Sequence, residues 1–122
     1  MVTQNILVVD DDADFCASCA EVLRTAGYGV YEAHDGHAAI SLLQSEDIGA
    51  VLLDVNMPGL NGLELLDALD DLPPTALLTE RDYDVDVIAR RPKLFMYLAK
   101  PVPPLDLIDA VTYMLTAKAP KP

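Results

Sequence analysis

Four apolar segments of this chain each end at a side chain suited to bind a metal ion or a phosphoryl group. If the segments are neighbouring parallel strands, these side chains lie along one edge of a sheet, where open α/β folds bind their ligands. Carboxylate oxygens suit Mg²⁺, and an ammonium group and a hydroxyl suit phosphate oxygens. The pattern therefore indicates a site for a hard divalent cation and a phosphoryl group. In chain order, the end positions are Asp10 to Asp12 after residues 6–9, Asp54 after residues 51–53, Thr79 after residues 76–78, and Lys100 after residues 94–99.

Each of these residues also has an ordinary structural role available to it. The carboxylates of Asp10 to Asp12 repel one another unless a cation or solvent offsets their charge, and one of them can instead cap a helix. Asp54, at the rim of an apolar run, suits a nucleophile beside a metal, or it caps a turn. Lys100 precedes a proline, which favours an extended backbone and permits a cis peptide bond. Lys100 and Thr79 are weak signals when taken alone. The inferred site therefore rests on the occurrence of all these residues at successive strand ends.

Alternating apolar segments and helical patterns predict the elements that position these side chains. Apolar residues from Phe15 to Ala26 recur at offsets of 4, 7, 8 and 11, and Gly27 supplies a stop. Further helices are predicted after the Asp35–Gly36 turn, after the turn-rich segment 57–62, and, short and polar, over 82–89. The last helix is predicted to place one apolar face on the sheet. The segments together make five strand–helix units, which predicts a doubly wound parallel sheet with right-handed crossovers. The apolar face predicted for the last helix consists of Leu105, Ile108, Val111 and Leu115.

Length and charge restrict the function further. The 122 residues are 52% hydrophobic, enough for one domain with a single core. A formal net charge of −12 argues against direct nucleic-acid contact, which relies on basic residues. The chain starts without a basic, apolar leader and has no run long enough to span a membrane, so we predict a cytoplasmic protein. We predict a domain over residues 1–117 and a tail or the start of a linker over 118–122.

Cys16 and Cys19 form a C-x-x-C pair without a second pair in the sequence. His34 and His37 lie in a different segment. We therefore predict structural thiols on or beside the buried face of a helix, with metal binding or redox chemistry as the alternative.

Several segments together resemble the receiver domain of two-component response regulators, of the chemotaxis-receiver type, over residues 4–117. The resemblance rests on ILVVDDD, LLDVNMPGLNG, Thr79 and YLAKP. It implies a flavodoxin-like (βα)5 fold with strand order 2-1-3-4-5. It also implies a Mg²⁺-dependent protein that catalyses its own phosphorylation and dephosphorylation rather than a conventional enzyme. A sensor histidine kinase or a phosphotransfer protein would supply the phosphoryl group, and an output domain or partner protein would receive the signal.

The resemblance also implies a role for each site residue. Asp54 is expected to accept the phosphoryl group, and Lys100 to pair with its oxygens. Thr79 is expected to turn its hydroxyl toward that group, while Tyr97 occupies the position of the aromatic switch. The expected Mg²⁺ ligands are Asp11, Asp54 and the backbone carbonyl of Asn56, with Asp10 in support.

The chain departs from the family pattern at two places. Glu80 follows Thr79 where a small residue is usual, so its carboxylate is expected to modulate access to the site, and Arg81 to pair with Glu80 or with the phosphate. Residues 88–97 lack the small Gly-Ala pair that often precedes the last strand. The surface formed by the predicted helix over 82–89, the last strand and the last helix is the candidate homodimer interface, and its shape is expected to be unusual.

Two other functions compete with a phosphorylatable receiver. A degenerate receiver would act as a phosphorylation-independent interaction module. The intact site residues argue against this function, whereas Glu80 argues for it. A phosphatase of the haloacid dehalogenase type would use Asp10 within D-x-D as its nucleophile. That class expects a residue such as Thr soon afterwards, whereas Ala13, Asp14 and Phe15 follow here.

Overall fold

One parallel five-stranded sheet, in the order β2-β1-β3-β4-β5, organises the chain. The computed structural model describes residues 4–55, 57, 62–69, 72–79 and 94–117. This sheet confirms the predicted doubly wound fold and its strand order. The predicted helix over 82–89 and the segment 118–122 lie outside the described residues. The strands are β1 (Asn5–Val9), β2 (Gly29–Ala33), β3 (Ala50–Asp54), β4 (Thr75–Thr79) and β5 (Leu94–Ala99), and the helices are α1 (Ala13–Thr25), α2 (Gly36–Ser45), α3 (Gly62–Ala68) and α4 (Pro104–Ala117).

Helices cover both faces of the sheet. Because side chains alternate along a strand, Ile6 and Val8 of β1 face α1 and α4, while Leu7 and Val9 face α2 and α3. The central strands β1, β3 and β4 are consequently buried on both sides and consist of nearly continuous apolar residues. Within the described ranges, no helix is long and apolar enough to cross a membrane.

Helix α1 follows the acidic cluster directly and ends at the predicted stop. The carboxylate of Asp12 accepts hydrogen bonds from the backbone N–H groups of Asp14 and Phe15, which caps the helix. Gly27 ends it with a φ of 102°, a conformation that glycine adopts without strain. The buried face of α1 differs from the predicted one, because Ala26 is exposed. The buried positions are Cys16, Cys19, Ala20 and Leu23.

Helix α4 corrects the prediction for Leu105. Its side chain is 73% exposed, whereas Leu107, Val111 and Met114 are buried against the sheet. Successive residues turn by about 100° around a helix, so Leu105 and Leu107 lie about 160° apart. Both cannot face the sheet, and Leu107 shares its side with Val111 and Met114.

Strand register places the carboxyl ends of four strands at one edge. Val9 pairs with Leu53 and Asp54 pairs with Leu78. Thr79 pairs with Ala99, the residue before Lys100. Asp54 and Thr79, which end β3 and β4, and the residues that follow β1 and β5 are therefore close together at one edge of the sheet.

Candidate functional site

Three carboxylates converge at this edge. One oxygen from each of Asp10, Asp11 and Asp54 lies within 4.8 Å of the others. Asp10 is fully buried and Asp54 is 3% exposed, whereas Asp11 is exposed to solvent. Like charges at this spacing repel one another, and a hard divalent cation relieves that repulsion. The donor set therefore fits Mg²⁺, with solvent access on the side of Asp11.

Lys100 supplies a positive charge to the same cluster. Its Nζ lies 2.6 Å from Oδ2 of Asp10 and 3.5 Å from Oδ1 of Asp54, and its side chain is 13% exposed. The backbone N–H of Lys100 donates to the carbonyl of Thr79, with 2.6 Å between nitrogen and oxygen. The Lys100–Pro101 peptide bond is cis, as the sequence allowed. This hydrogen bond to β4 thus fixes the position of the Lys100 backbone, from which the side chain extends toward the carboxylates.

Two opposing effects act on the pKa of Lys100. Burial disfavours the charged ammonium and lowers the pKa. The hydrogen bond to Asp10 and the negative charges of Asp54 and Asp10 raise it by more, so the net pKa is above the ordinary value. Lys100 is therefore a cation throughout the neutral range.

Protein partners occupy both oxygens of the Asp10 carboxylate. Oδ1 accepts a hydrogen bond from the backbone N–H of Asp12 at 2.9 Å, and Oδ2 contacts Lys100. The backbone N–H of Asp10 donates to the carbonyl of Ala33 at 3.0 Å, which ties this residue to the end of β2. These contacts fix the orientation of Asp10 and suit it to support the site rather than to attack a substrate.

Phe15 is a site residue that the sequence analysis missed. The Nζ of Lys100 lies 4.4 Å from the centroid of its ring, within the range of a cation–π interaction. The sequence presented Phe15 only as part of the apolar face of α1. Its contact with Lys100 depends on how the first turn of α1 packs beside the end of β5, and no local pattern encodes that distance.

Thr79 and Tyr97 lie on the same face of the sheet. Thr79 is 1% exposed and pairs with Ala99, while Tyr97 pairs with Leu77 two residues earlier. Alternation along each strand puts the two side chains on one face, as diagonal neighbours. Tyr97 is 41% exposed. Thr79 at the strand edge and the partly exposed ring of Tyr97 are therefore neighbours on one face of the sheet.

Both cysteines are buried, as predicted for structural thiols. Burial, with smaller contributions from the charges of Asp10 and Glu32, raises the pKa of the Cys16 thiol to about 12. Burial and the charge of Asp10 raise the pKa of Cys19 to about 11. The Cys16 Sγ donates to the backbone carbonyl of Asp10 at 3.3 Å. Each thiol is therefore protonated at neutral pH.

Asn56, Glu80 and Arg81 lie outside the described residues. Their expected roles as a metal ligand and as modulating residues remain predictions from the sequence. The other predicted site residues are Asp10, Asp11, Asp54, Thr79, Tyr97 and Lys100, and the structure places all six on this edge or on the strands that lead to it.

The order of the strands, together with carboxylates and a lysine at their carboxyl edge, is the arrangement that the sequence analysis expected for a receiver domain. The response regulator receiver domain model matches residues 6–112. The chain belongs to this family, the receiver domains of two-component response regulators, which signal through phosphorylation. Because the chain belongs to the receiver family, the haloacid dehalogenase alternative is set aside. The Asp10 carboxylate, which that alternative would use as its nucleophile, is held by the Asp12 N–H and by Lys100.

Curated relatives match over the same region. The chain is 36% identical over 110 residues to the aerobic respiration control protein ArcA of Escherichia coli K12, covering 88% of this chain and 46% of that protein. It is 36% identical over 113 residues to the transcriptional regulatory protein CpxR of the same strain, covering 90% of this chain and 48% of that protein. The chain thus spans about half the length of these relatives.

Solved structures match over almost the whole domain. The chemotaxis protein CheY4 of Vibrio cholerae superposes with a TM-score of 0.85 at 26% identity, covering 93% of this chain and 99% of that one. A CheY-like receiver domain protein from Methanospirillum hungatei JF-1 gives a TM-score of 0.87 at 25% identity, covering 95% and 96%. These similarities agree with the sheet order and helix placement described above.

Proposed function

We propose that Asp54 is the phosphoacceptor of this receiver domain and takes a phosphoryl group from a sensor histidine kinase or a phosphotransfer protein. The observation that supports this proposal is the position of Asp54 beside the Lys100 ammonium and within a cluster of carboxylates that could hold a cation. Its carboxylate is 3.5 Å from the ammonium of Lys100 and belongs to the acidic cluster suited to a cation. The Asp10 carboxylate is held by the backbone N–H of Asp12 and by Lys100, which suits it to a supporting role.

Mg²⁺ is the proposed cofactor, held by Asp11, Asp54 and the carbonyl of Asn56, with Asp10 in support. When bound, it would neutralise charge on the transferring phosphoryl group. The carboxylates at this edge are oxygen donors, the ligand type that Mg²⁺ prefers. The protein's own contribution is to hold Asp54 at a fixed point of the sheet and to keep Lys100 charged beside it.

Phosphoryl transfer requires little covalent chemistry from the protein. An oxygen of Asp54 attacks the phosphorus of the donor phosphohistidine while the phosphorus–nitrogen bond breaks. The electron pair leaves with the imidazole, which takes a proton from solvent. Lys100 stabilises negative charge on the phosphoryl oxygens as an acyl phosphate forms. Attack of water on phosphorus later releases phosphate and restores the carboxylate.

Thr79 and Tyr97 are proposed to convert this chemistry into a conformational signal. A phosphoryl group on the adjacent strand would offer the Thr79 hydroxyl a new hydrogen-bond acceptor. Such a differential contact shifts the population of loop arrangements. Tyr97 lies on the same sheet face and is 41% exposed, and it is proposed to pack inward when Thr79 moves.

The recipient of the signal is proposed to be an output domain or a partner protein. A homodimer through the predicted helix over 82–89, β5 and α4 is one candidate form of the active state. Glu80 and Arg81 are proposed to modulate access of donors and water, and the domain is proposed to make no direct contact with nucleic acid. Its cytoplasmic placement also stays a prediction from the sequence.

Beryllofluoride, a phosphoryl analogue, tests this proposal without a kinase. Amide NMR spectra of the domain with Mg²⁺ should show shifts at Asp54, Thr79 and Tyr97 when the analogue is added. Asp54→Asn should remove these shifts. Asp35→Asn is a matched control, because Asn can replace Asp35 as the cap of α2 and this residue lies outside the acidic cluster. An unchanged wild-type spectrum would favour the degenerate, phosphorylation-independent receiver.

A further inference from the structure

A second cluster of metal-ligating side chains lies beside the edge strand β2. The Sγ of Cys16, one oxygen of Glu32 and one imidazole nitrogen of His34 all lie within 4.8 Å of one another. Cys19, the sequence partner of Cys16 in C-x-x-C, does not belong to this group among the described residues. The structure thus gives Cys16 different neighbours from those that its sequence spacing suggests.

The fold explains why these three residues meet. Glu32 lies within β2 and pairs with Val8, so its side chain is on the same face of the sheet as that of Val8, and His34 lies in the bend that follows the strand. Helix α1 packs on that face, with Cys16 in the same core cluster as Val30 of β2. The cluster therefore joins α1 to the edge of the sheet, whereas the acidic cluster joins β1 to β3.

We propose that Cys16, Glu32 and His34 bind a divalent transition-metal ion of the Zn²⁺ class, at a site separate from the acidic cluster. One sulfur, one nitrogen and one oxygen form a mixed donor set of the kind that Zn²⁺ accepts, with water completing a tetrahedron. Mg²⁺ and Ca²⁺ prefer oxygen ligands and are poor candidates here. Binding at this site does not depend on phosphorylation of Asp54.

The separations allow a tetrahedral ion after a small adjustment. Donor atoms around tetrahedral Zn²⁺ lie about 3.4 to 3.6 Å apart, given the usual bond lengths. Donors that start within 4.8 Å must therefore approach one another by at most about 1.4 Å. Cys16 is fixed in the core, but the Glu32 side chain is 26% exposed and His34 is exposed. Those two side chains can rotate toward an ion that enters from the solvent side.

Existing contacts select the class of ion. The Cys16 thiol donates to the Asp10 carbonyl, so its proton must pass to solvent as a metal–sulfur bond forms. Because burial opposes a bare thiolate, only an ion with high affinity for sulfur displaces that proton. Arg24 competes for Glu32 through an ion pair of 3.6 Å, but its side chain is 54% exposed. An exposed pair of this length is a weak competitor.

Co²⁺ is a spectroscopic probe for this site. We would titrate the reduced, full chain with Co²⁺ in excess Mg²⁺, which occupies the oxygen site, and then add Zn²⁺. A cobalt–thiolate bond produces a near-ultraviolet charge-transfer band that oxygen ligands alone do not. The expected result is a band that saturates at one equivalent and disappears when Zn²⁺ displaces Co²⁺. No band at Co²⁺ excess would overturn the proposal.

Matched variants assign the ligands. Cys16→Ser should abolish the band, and His34→Ala should weaken Zn²⁺ binding by at least about tenfold, the minimum expected even for a residue that only orients a ligand. Cys19→Ala and His37→Ala should leave both readouts unchanged. Unchanged Zn²⁺ affinity in His34→Ala, or a band that is lost equally in Cys19→Ala, would contradict the site. Because His34 is exposed, its variant decides the matter even if Cys16→Ser fails to fold.

Discussion

Lys100 is bound to Asp10 more closely than to Asp54. Its ammonium nitrogen lies 2.6 Å from Asp10 and 3.5 Å from Asp54. Asp10 is fully buried, so the lysine neutralises a carboxylate that solvent does not reach. On this account, phosphorylation of Asp54 requires Lys100 to exchange part of its contact with Asp10 for the new phosphoryl oxygens.

Removing the lysine should therefore destabilise the unphosphorylated domain. Lys100→Ala leaves Asp10 buried without its cation, and we expect a loss of about 3 kcal/mol in the free energy of unfolding at neutral pH. Urea unfolding of both proteins measures this difference in the free energy of unfolding. Adding Asp10→Asn to Lys100→Ala should recover much of the loss, because the uncompensated charge is gone. If the double variant is no more stable than Lys100→Ala, the ion pair is not the cause.

The ring of Phe15 should hold Lys100 in position. Phe15→Leu keeps an apolar side chain but removes the cation–π contact, which is worth about 0.5 to 2 kcal/mol. We expect the Lys100 ammonium resonances in NMR to shift and phosphorylation by acetyl phosphate to slow several-fold. Phe15→Tyr retains an aromatic ring and should restore both. Equal behaviour of the leucine and tyrosine variants would show that Phe15 only fills space.

Adjacent aspartates provide a matched test of the metal site. Asp11→Ala should weaken Mg²⁺ binding by at least about tenfold, because it removes a carboxylate from the cluster. Asp12→Asn should have little effect, since Asp12 caps α1 and asparagine caps equally well. NMR titration with Mg²⁺ gives both affinities. Similar losses in the two variants would indicate general electrostatic attraction rather than a defined ligand.

Native thiols should resist alkylation. At pH 8 the raised pKa values, about 12 for Cys16 and about 11 for Cys19, keep the thiolate fraction far below that of an ordinary cysteine of pKa 9.0. We expect iodoacetamide to react at least about a hundredfold more slowly with the native protein than in urea, because the thiolate is the nucleophile. Intact-mass spectrometry follows the reaction. Comparable rates in both conditions would contradict the burial of these thiols.

Local patterns in the sequence were sufficient to predict most of the fold. The apolar run before Asp54 indicated a strand covered on both faces, and the acidic cluster and the stop at Gly27 bracketed α1. The predicted faces of the helices were less accurate, because Leu105 and Leu107 both fit an apolar pattern and only contact with the sheet selects between them. The positions of the elements along the chain were thus encoded locally, while the strand order came from the family resemblance and the orientation of the helices was not predicted accurately.

The site could be predicted only to the level of which strand ends meet. Register between parallel strands brings Asp54, Thr79 and Lys100 to one edge, and that follows from the order of the segments. The contact between Phe15 and Lys100 depends on packing between elements distant in sequence. The same is true of Cys16 and His34, which the sequence placed in separate segments and the fold of α1 on β2 brings together.

Intact-mass spectrometry detects the proposed phosphorylation of Asp54. The domain is incubated with acetyl phosphate and Mg²⁺, and the bound phosphoryl group is localised by trapping the acyl phosphate before proteolysis. We predict the mass of a single phosphoryl group, labile to acid, on Asp54 in the wild type and in Asp35→Asn, and none in Asp54→Asn or without Mg²⁺. Equal labelling of Asp54→Asn, or a label located on Asp10 or Asp11, would contradict the account.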